Sequence, residues 1–116
     1  MKNFISYGYK KNEIEIIKNE MRNIFRDNFS IISMNKDLTI LENLKNRKND
    51  FVENETKVMM LAGFSDKDVN KTLQHFPKNI KRPIFCLETK HNINWKFEKL
   101  LEDLLEEQAY FKNQKK

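Results

Sequence analysis

An uninterrupted apolar run in the middle of the chain constrains its fold more than any other feature. Residues 58–61 are a valine, two methionines and a leucine, with no polar residue between them. A strand with one face in water alternates apolar and polar side chains, whereas a strand covered on both faces is apolar throughout. The run therefore predicts a central strand over about residues 57–62, with helices packed on both faces of its sheet.

Three more strands and four helices are predicted from the spacing of apolar residues. Short apolar runs at 4–9, 29–34 and 84–87 favour strands, and apolar residues at three- and four-residue steps after each strand favour amphipathic helices. The residues placed to cap these helices are Asn12, Asp37, Ser65 and Asn94. The order β-α-β-α-β-α-β-α predicts an α/β fold with a single four-stranded, mainly parallel sheet, helices on both faces and strand order 2-1-3-4.

The 116 residues are expected to form one α/β domain, residues 1–116, because this length supports a single core. The polar stretch at 46–56 is expected to be a flexible connecting segment. No internal repeat, low-complexity stretch or second domain is recognised in the sequence.

Composition bounds the function classes. The formal charge of +5 comes from 22 basic and 17 acidic residues in mixed order, which is more typical of a solvated surface than of a dedicated basic face. Cys86 is the only cysteine, so the chain has no internal disulfide and is expected to be cytoplasmic. With two glycines the chain contains no glycine-rich phosphate loop, and its two histidines and one cysteine are not spaced as metal ligands. We therefore expect no cofactor, no metal and no membrane segment.

The second half carries a recognisable combination of residues. The run 58–65 ends in Gly63-Phe64-Ser65, Thr89 is followed by Asn92 and Trp95, and residues 104–107 are Leu-Leu-Glu-Glu. This combination, over about residues 57–111, resembles the small bacterial proteins grouped as domain-of-unknown-function family 3783. The resemblance implies the same order of strands and helices in this half and implies no activity.

The candidate site follows from the predicted sheet. Ligands of open α/β sheets bind outside the carboxyl ends of the strands, and we expect the residues that follow all four strands, at 8–9, 33–34, 63–65 and 89–92, to lie at one such edge. The surface predicted there for a ligand or partner consists of Gly63, Phe64, Ser65, Thr89, His91, Asn92 and Trp95.

Three functions remain open at this point. The leading one is a non-enzymatic binding or interaction module, because the unusual residues gather at one predicted edge without an acid, base and nucleophile. The second is a nucleic-acid-binding domain, whose contacts would be Lys45, Arg47, Lys48, Lys78, Lys81 and Arg82. The third is a small enzyme, which requires His91 or Cys86 to have a perturbed pKa in a cleft. The partner would be a protein or a small molecule, and self-association is open if Tyr110 and Phe111 are exposed.

Overall fold

The computed structural model describes the backbone of residues 2–114 and the side chains of residues 2–108. The elements are β1 (Lys2–Tyr7), α1 (Lys11–Phe25), β2 (Phe29–Ser33), α2 (Ile40–Asn46), β3 (Val58–Ala62), α3 (Asp66–His75), β4 (Ile84–Leu87) and α4 (Phe97–Gln114). The predicted order of strands and helices is confirmed.

The four strands form one open sheet in the order β2-β1-β3-β4, as predicted. The outer strands run parallel to their neighbours, β2 to β1 and β4 to β3. The two inner strands are antiparallel, with Ile5 opposite Met60. The sheet is therefore mixed with mostly parallel pairing.

Helices cover both faces of the sheet, and each face has its own core. On one face, Phe4 and Met59 of the inner strands pack with Met21 of α1 and with Phe76, which follows α3. On the other face, Ile5 and Met60 pack with the first residues of α2 and α4. All five residues of β3 are buried, which confirms the prediction of a central strand.

The helix starts follow local capping chemistry. Ser65 Oγ accepts a hydrogen bond from the Asp68 N–H at 3.2 Å, so the predicted cap of α3 is confirmed. The predicted cap of α2 was wrong: Thr39, rather than Asp37, accepts from the Glu42 N–H at 3.1 Å. The start of α1 lies at Lys11 rather than after Asn12.

The order and directions of the elements relate the two halves of the chain by an approximate two-fold axis normal to the sheet, although the sequence shows no internal repeat. Each half is strand-helix-strand-helix, and antiparallel inner strands with parallel outer strands are what such an axis produces. Gly8 and Gly63, 55 positions apart, both have positive φ, 96° and 81°. They are followed at the same spacing by the starts of α1 and α3.

Backbone hydrogen bonds across this axis come in matching pairs. The Ile40 N–H donates to the Trp95 carbonyl at 2.9 Å, and the Phe97 N–H, 57 positions later, donates to the Leu38 carbonyl at 3.1 Å. The Leu41 and Glu98 amides form a second such pair, with the carbonyls of residues 93 and 36. The starts of α2 and α4 therefore meet at the axis.

Sequence identity between the halves is too low to reveal this repeat. Between residues 3–25 and residues 58–80, the glycine at positions 8 and 63 is the only identity. What the halves share is apolar pattern, because any residue of suitable size satisfies a core position.

The polar stretch after α2 is held at several points; its flexibility remains a prediction. The Lys48 carbonyl accepts from the Ser33 N–H at 2.8 Å, and the Asp50 N–H donates to Ser33 Oγ at 3.0 Å. Farther along, the Asn54 N–H donates to the Gly8 carbonyl at 3.0 Å, and Phe51 packs on the core below α1. The segment thus stays at the carboxyl ends of β1 and β2.

The expectation that the residues after all four strands lie at one edge of the sheet was wrong. Because β3 starts where β1 ends, residues 8–9 and 33–34 lie at one end of the sheet, and residues 63–65 and 89–92 lie at the other. All seven residues of the predicted surface follow β3 or β4, so they still lie at one end of the sheet. No helix in residues 2–114 is long and apolar enough to cross a membrane.

Candidate binding surface

The carboxyl ends of β3 and β4 carry most of the predicted surface. The two strands are parallel neighbours, with Leu61 paired with Leu87, so residues 63–65 and 89–92 leave the sheet side by side. Gly63, Ser65, Thr89 and His91 are exposed there. The other members of the predicted set are at least half-buried, and their contacts explain why.

Phe64 is part of the core. Its ring centroid lies 4.9 Å from that of Phe4 and 5.8 Å from that of Phe25. Next to it, Ser65 caps α3, and Lys2 forms an ion pair with Asp68 at 3.5 Å. Although desolvation opposes the effect, hydrogen bonds from Ser65 and the Lys2 ammonium hold the pKa of the Asp68 carboxyl below its usual value. Because this carboxylate is negatively charged, it disfavours the binding of an anion at the start of α3.

Thr89 and Asn92 close the loop after β4 on itself. The Thr89 N–H donates to Asn92 Oδ1 at 2.8 Å, and the Asn92 N–H donates to Thr89 Oγ1 at 3.1 Å. Asn92 Nδ2 donates to the Leu87 carbonyl at 3.0 Å. These contacts give Thr89 and Asn92 structural roles. Asn92 also satisfies a backbone acceptor of β4, the Leu87 carbonyl.

Trp95 lies apart from the other predicted residues. Its side chain packs on the core between the sheet and α4, with the Lys99 ammonium 5.2 Å from the ring centroid. His91 stays exposed, and the described residues contain no group of three or more His, Cys, Asp or Glu side chains able to hold a metal ion. The side chains of Tyr110 and Phe111 lie outside the described residues.

Cys86 is expected to react very slowly with thiol reagents. Burial raises the pKa of its thiol from 9.0 to about 12, because the thiolate would lose its hydration. A pKa about three units higher leaves about a thousandfold less thiolate at about pH 8. The rate of reaction with the reagent should grow about tenfold per pH unit, because only the thiolate reacts. Stopped-flow absorbance with a disulfide reagent measures this rate. A native rate within about tenfold of the rate in denaturant would contradict the pKa shift.

The two basic clusters lie near opposite edges of the sheet, one after β2 and one just before β4. Arg47 Nη1 donates to Asn3 Oδ1 at 2.9 Å, and its guanidinium also bonds Ser30 of β2. Arg82 stacks on Phe85 of β4 at 5.1 Å. Three strand spacings of about 4.8 Å separate β2 from β4, so the sheet does not bring the clusters into one patch.

Sequence reasoning missed a feature of β4 itself. The Ile84 amide donates to the carbonyl of Lys57, just before β3, at 2.9 Å, and the Glu88 amide donates to the Leu61 carbonyl of β3 at 3.1 Å. The N–H and C=O groups of the odd-numbered residues between them therefore point away from β3. Within the described residues the outward groups of β4 without a hydrogen-bond partner are the N–H groups of Phe85 and Leu87 and the C=O of Phe85, because Asn92 already donates to the Leu87 carbonyl; we call these three groups the open edge. No residue of β4 is fully buried, and Leu87 is 46% exposed. The short apolar run at 84–87 carried no signal for this exposure, because strand order decides which strand is at an edge.

These observations define the class: a small α/β protein with a mixed four-stranded sheet. A family model described as "Domain of unknown function (DUF3783)" matches residues 57–111 and confirms the predicted resemblance in the second half. The matched range begins one residue before β3 and ends within α4, so it coincides with one of the two symmetry-related halves. Neither the curated proteins nor the solved structures compared with this chain include a match.

Proposed function

We propose that this protein is a non-enzymatic interaction module that binds an extended segment of a partner protein along the open edge. The observation that carries the proposal is a difference between equivalent positions of the two edge strands. Ser33 of β2 pairs with Ser6, and Leu87 of β4 pairs with Leu61. Because Ser6 and Leu61 are equivalent positions of the inner strands, 55 positions apart, Ser33 and Leu87 correspond. They are the last residues of the two edge strands.

In the first half, the outward amide at this position is already used. The Ser33 N–H donates to the Lys48 carbonyl of the segment that follows α2. In the second half α4 continues to Gln114, and within the described residues no hydrogen bond is made to the Leu87 amide. The first half thus supplies an example of a chain segment bonded to the outward amide, the contact that strand addition would extend along the edge.

A separate partner fits this edge better than a second copy of the chain. Pairing two copies antiparallel through Phe85 and Leu87 brings Arg82 of one copy toward Lys90 of the other, and like charges facing each other across strands are destabilising. The chain's net charge of +5 adds to this repulsion. Thr89 and His91, exposed just beyond the open edge, offer polar contacts to the end of the incoming segment.

A phage-displayed library of random dodecapeptides tests the proposal. Leu87→Pro removes the outward N–H, and no bond to β3 is lost because this N–H points away from β3. Proline is tolerated at such a position of an edge strand. We expect peptides with alternating apolar residues that bind the wild-type protein and lose at least about tenfold affinity for Leu87→Pro. Leu87→Thr keeps the amide and is the matched control.

The readout is the amide NMR shift at residues 85–88 together with the dissociation constant. If Leu87→Pro fails to fold, Leu87→Lys blocks the edge by charge and replaces it. Selected peptides that bind Leu87→Pro as well as wild type, or no selected peptide at all, would contradict the proposal. Sedimentation showing a dimer that Leu87→Pro dissociates would assign the edge to a second copy instead.

A further inference from the structure

The order of the backbone groups along the open edge favours one direction of the bound segment. From Phe85 to Leu87 the edge offers an N–H, a C=O and a second N–H, and the Leu87 carbonyl that follows already accepts from Asn92 Nδ2 at 3.0 Å. The Pro83 carbonyl points to the same side, because the Ile84 N–H of the same trans peptide points to the β3 side. The outward groups therefore begin with an acceptor and end with a donor.

An antiparallel segment would leave two of its own groups unpaired at this edge. In antiparallel pairing, both groups of an outward residue bond one partner residue. The partner residue opposite Leu87 would accept from the Leu87 N–H, but its own N–H would face the carbonyl that Asn92 occupies. The partner residue opposite Pro83 would donate to the Pro83 carbonyl, but its own C=O would face a proline nitrogen, which has no hydrogen.

A parallel segment avoids both mismatches. In parallel pairing, a partner residue lies opposite an inward residue and bonds the outward groups on either side of it. The partner residue opposite Ile84 would donate to the Pro83 carbonyl and accept from the Phe85 N–H. The partner residue opposite Cys86 would donate to the Phe85 carbonyl and accept from the Leu87 N–H. Both partner residues are then fully bonded.

We infer that the segment bound at the open edge runs parallel to β4, an inference that rests on the proposed function. Asn92 is then a specificity-determining residue, because its bond to the Leu87 carbonyl removes the acceptor that an antiparallel segment needs. A polar group left unpaired at an interface weakens binding, so the direction with fewer such groups is favoured. Two copies of the chain related by a two-fold axis normal to the sheet would pair antiparallel, so this direction also favours a separate partner.

The same register predicts side chains of the segment. The partner residue opposite Phe85 lies on the face where the Arg82 guanidinium stacks on that ring at 5.1 Å, so an acidic side chain is favoured there. The partner residue opposite Leu87, whose side chain is 46% exposed, is expected to be apolar. The residue after it faces the occupied carbonyl and needs no N–H, so proline fits there. The expected motif is an acidic residue, any residue, an apolar residue and proline.

Tethered peptides test the direction on the full chain. Lys90→Cys, at an exposed position beyond the open edge, is joined by a disulfide and a short Gly-Ser linker to the C-terminus of the peptide Val-Glu-Val-Leu-Pro, which can then lie parallel to β4. The matched control is the peptide Leu-Val-Glu-Val joined through its N-terminus, which places the same side chains opposite the same β4 residues in the antiparallel direction. Tethering gives an effective concentration on the order of 1 mM, so weak binding is detected.

The native thiol does not interfere with this tether. Burial raises the pKa of the Cys86 thiol to about 12, so we expect it to react too slowly to compete with the introduced cysteine. Lys81→Cys, exposed at the opposite end of β4, repeats the comparison with each peptide joined through its other terminus. It replaces Lys90→Cys if that variant fails to fold.

The readout is the hydrogen-exchange rate of the Phe85 and Leu87 amides, measured by NMR before and after the tether is reduced. We expect the parallel peptide to slow this exchange at least about tenfold and the antiparallel peptide to slow it less than about twofold. Equal or greater protection by the antiparallel peptide would overturn the inferred direction and leave the edge as a binding site. No protection by either peptide would overturn the proposed function as well.

Discussion

Replacing Phe97 by alanine is expected to lower the free energy of unfolding by about 3–5 kcal/mol. Phe97 is fully buried, its ring centroid lies 4.9 Å from that of Tyr7, and its backbone amide forms one of the paired hydrogen bonds at the two-fold axis. Truncation leaves a cavity where α2, α4 and the sheet meet, and the loss is a large part of a small domain's stability. Urea denaturation followed by circular dichroism measures it.

Leu105→Ala is the matched control for this prediction. Leu105 lies on the same helix but is 42% exposed, so replacing it by alanine should lower the free energy of unfolding by less than about 1 kcal/mol. Equal losses in the two variants would mean that α4 is not anchored at the axis through Phe97.

Gly8→Ala is the second change with a large expected effect, a loss of about 3 kcal/mol or more. The φ of Gly8 is +96°, and an added Cβ would lie 2.3 Å from the carbonyl oxygen of Thr56. The obstructing atom belongs to the backbone just before β3, so no side chain can rotate away. Relief requires moving the segment whose Asn54 N–H and Lys57 ammonium both bond the Gly8 carbonyl.

Gly63, the corresponding glycine of the second half, distinguishes the effect of backbone strain from that of the steric clash with Thr56. Gly63 has φ +81° but is exposed, so Gly63→Ala should cost the left-handed penalty of about 1–2 kcal/mol. Thermal and urea unfolding of both variants compare the two positions. A Gly63→Ala loss as large as that of Gly8→Ala would show that backbone conformation alone, and not the contact with Thr56, requires glycine at position 8.

Strand direction shows most clearly where sequence reasoning stopped. A parallel β3 requires the chain to return to the far end of the sheet after β2. The seven residues of α2 span about 10 Å, less than the roughly 16 Å of a five-residue strand. The polar segment then stays at the near end, where Lys48 meets Ser33 and Glu53 pairs with Gly8. The sequence marks this segment as polar, but its path depends on contacts with distant residues.

The candidate site divides in the same way. Capping by Ser65 and the turn formed by Thr89 and Asn92 were predictable, because each depends on residues three positions apart. That the described residues supply no partner for the Leu87 amide depends on which strand is outermost and on where α4 runs.

The sequence by itself determined the type and order of the elements, the buried central strand and the two covered faces, because apolar periodicity is a local property that each element carries alone. Only the tertiary structure decided that β3 runs against β1 and that the two halves repeat about an axis with a single identity over residues 3–25. It also decided that, among the described residues, the Ser33 amide of β2 has a partner and the Leu87 amide of β4 has none. These features arise from pairings between residues far apart in the chain. The physics of such pairings selects size, direction and hydrogen-bond partner rather than residue identity, so a single sequence does not display them.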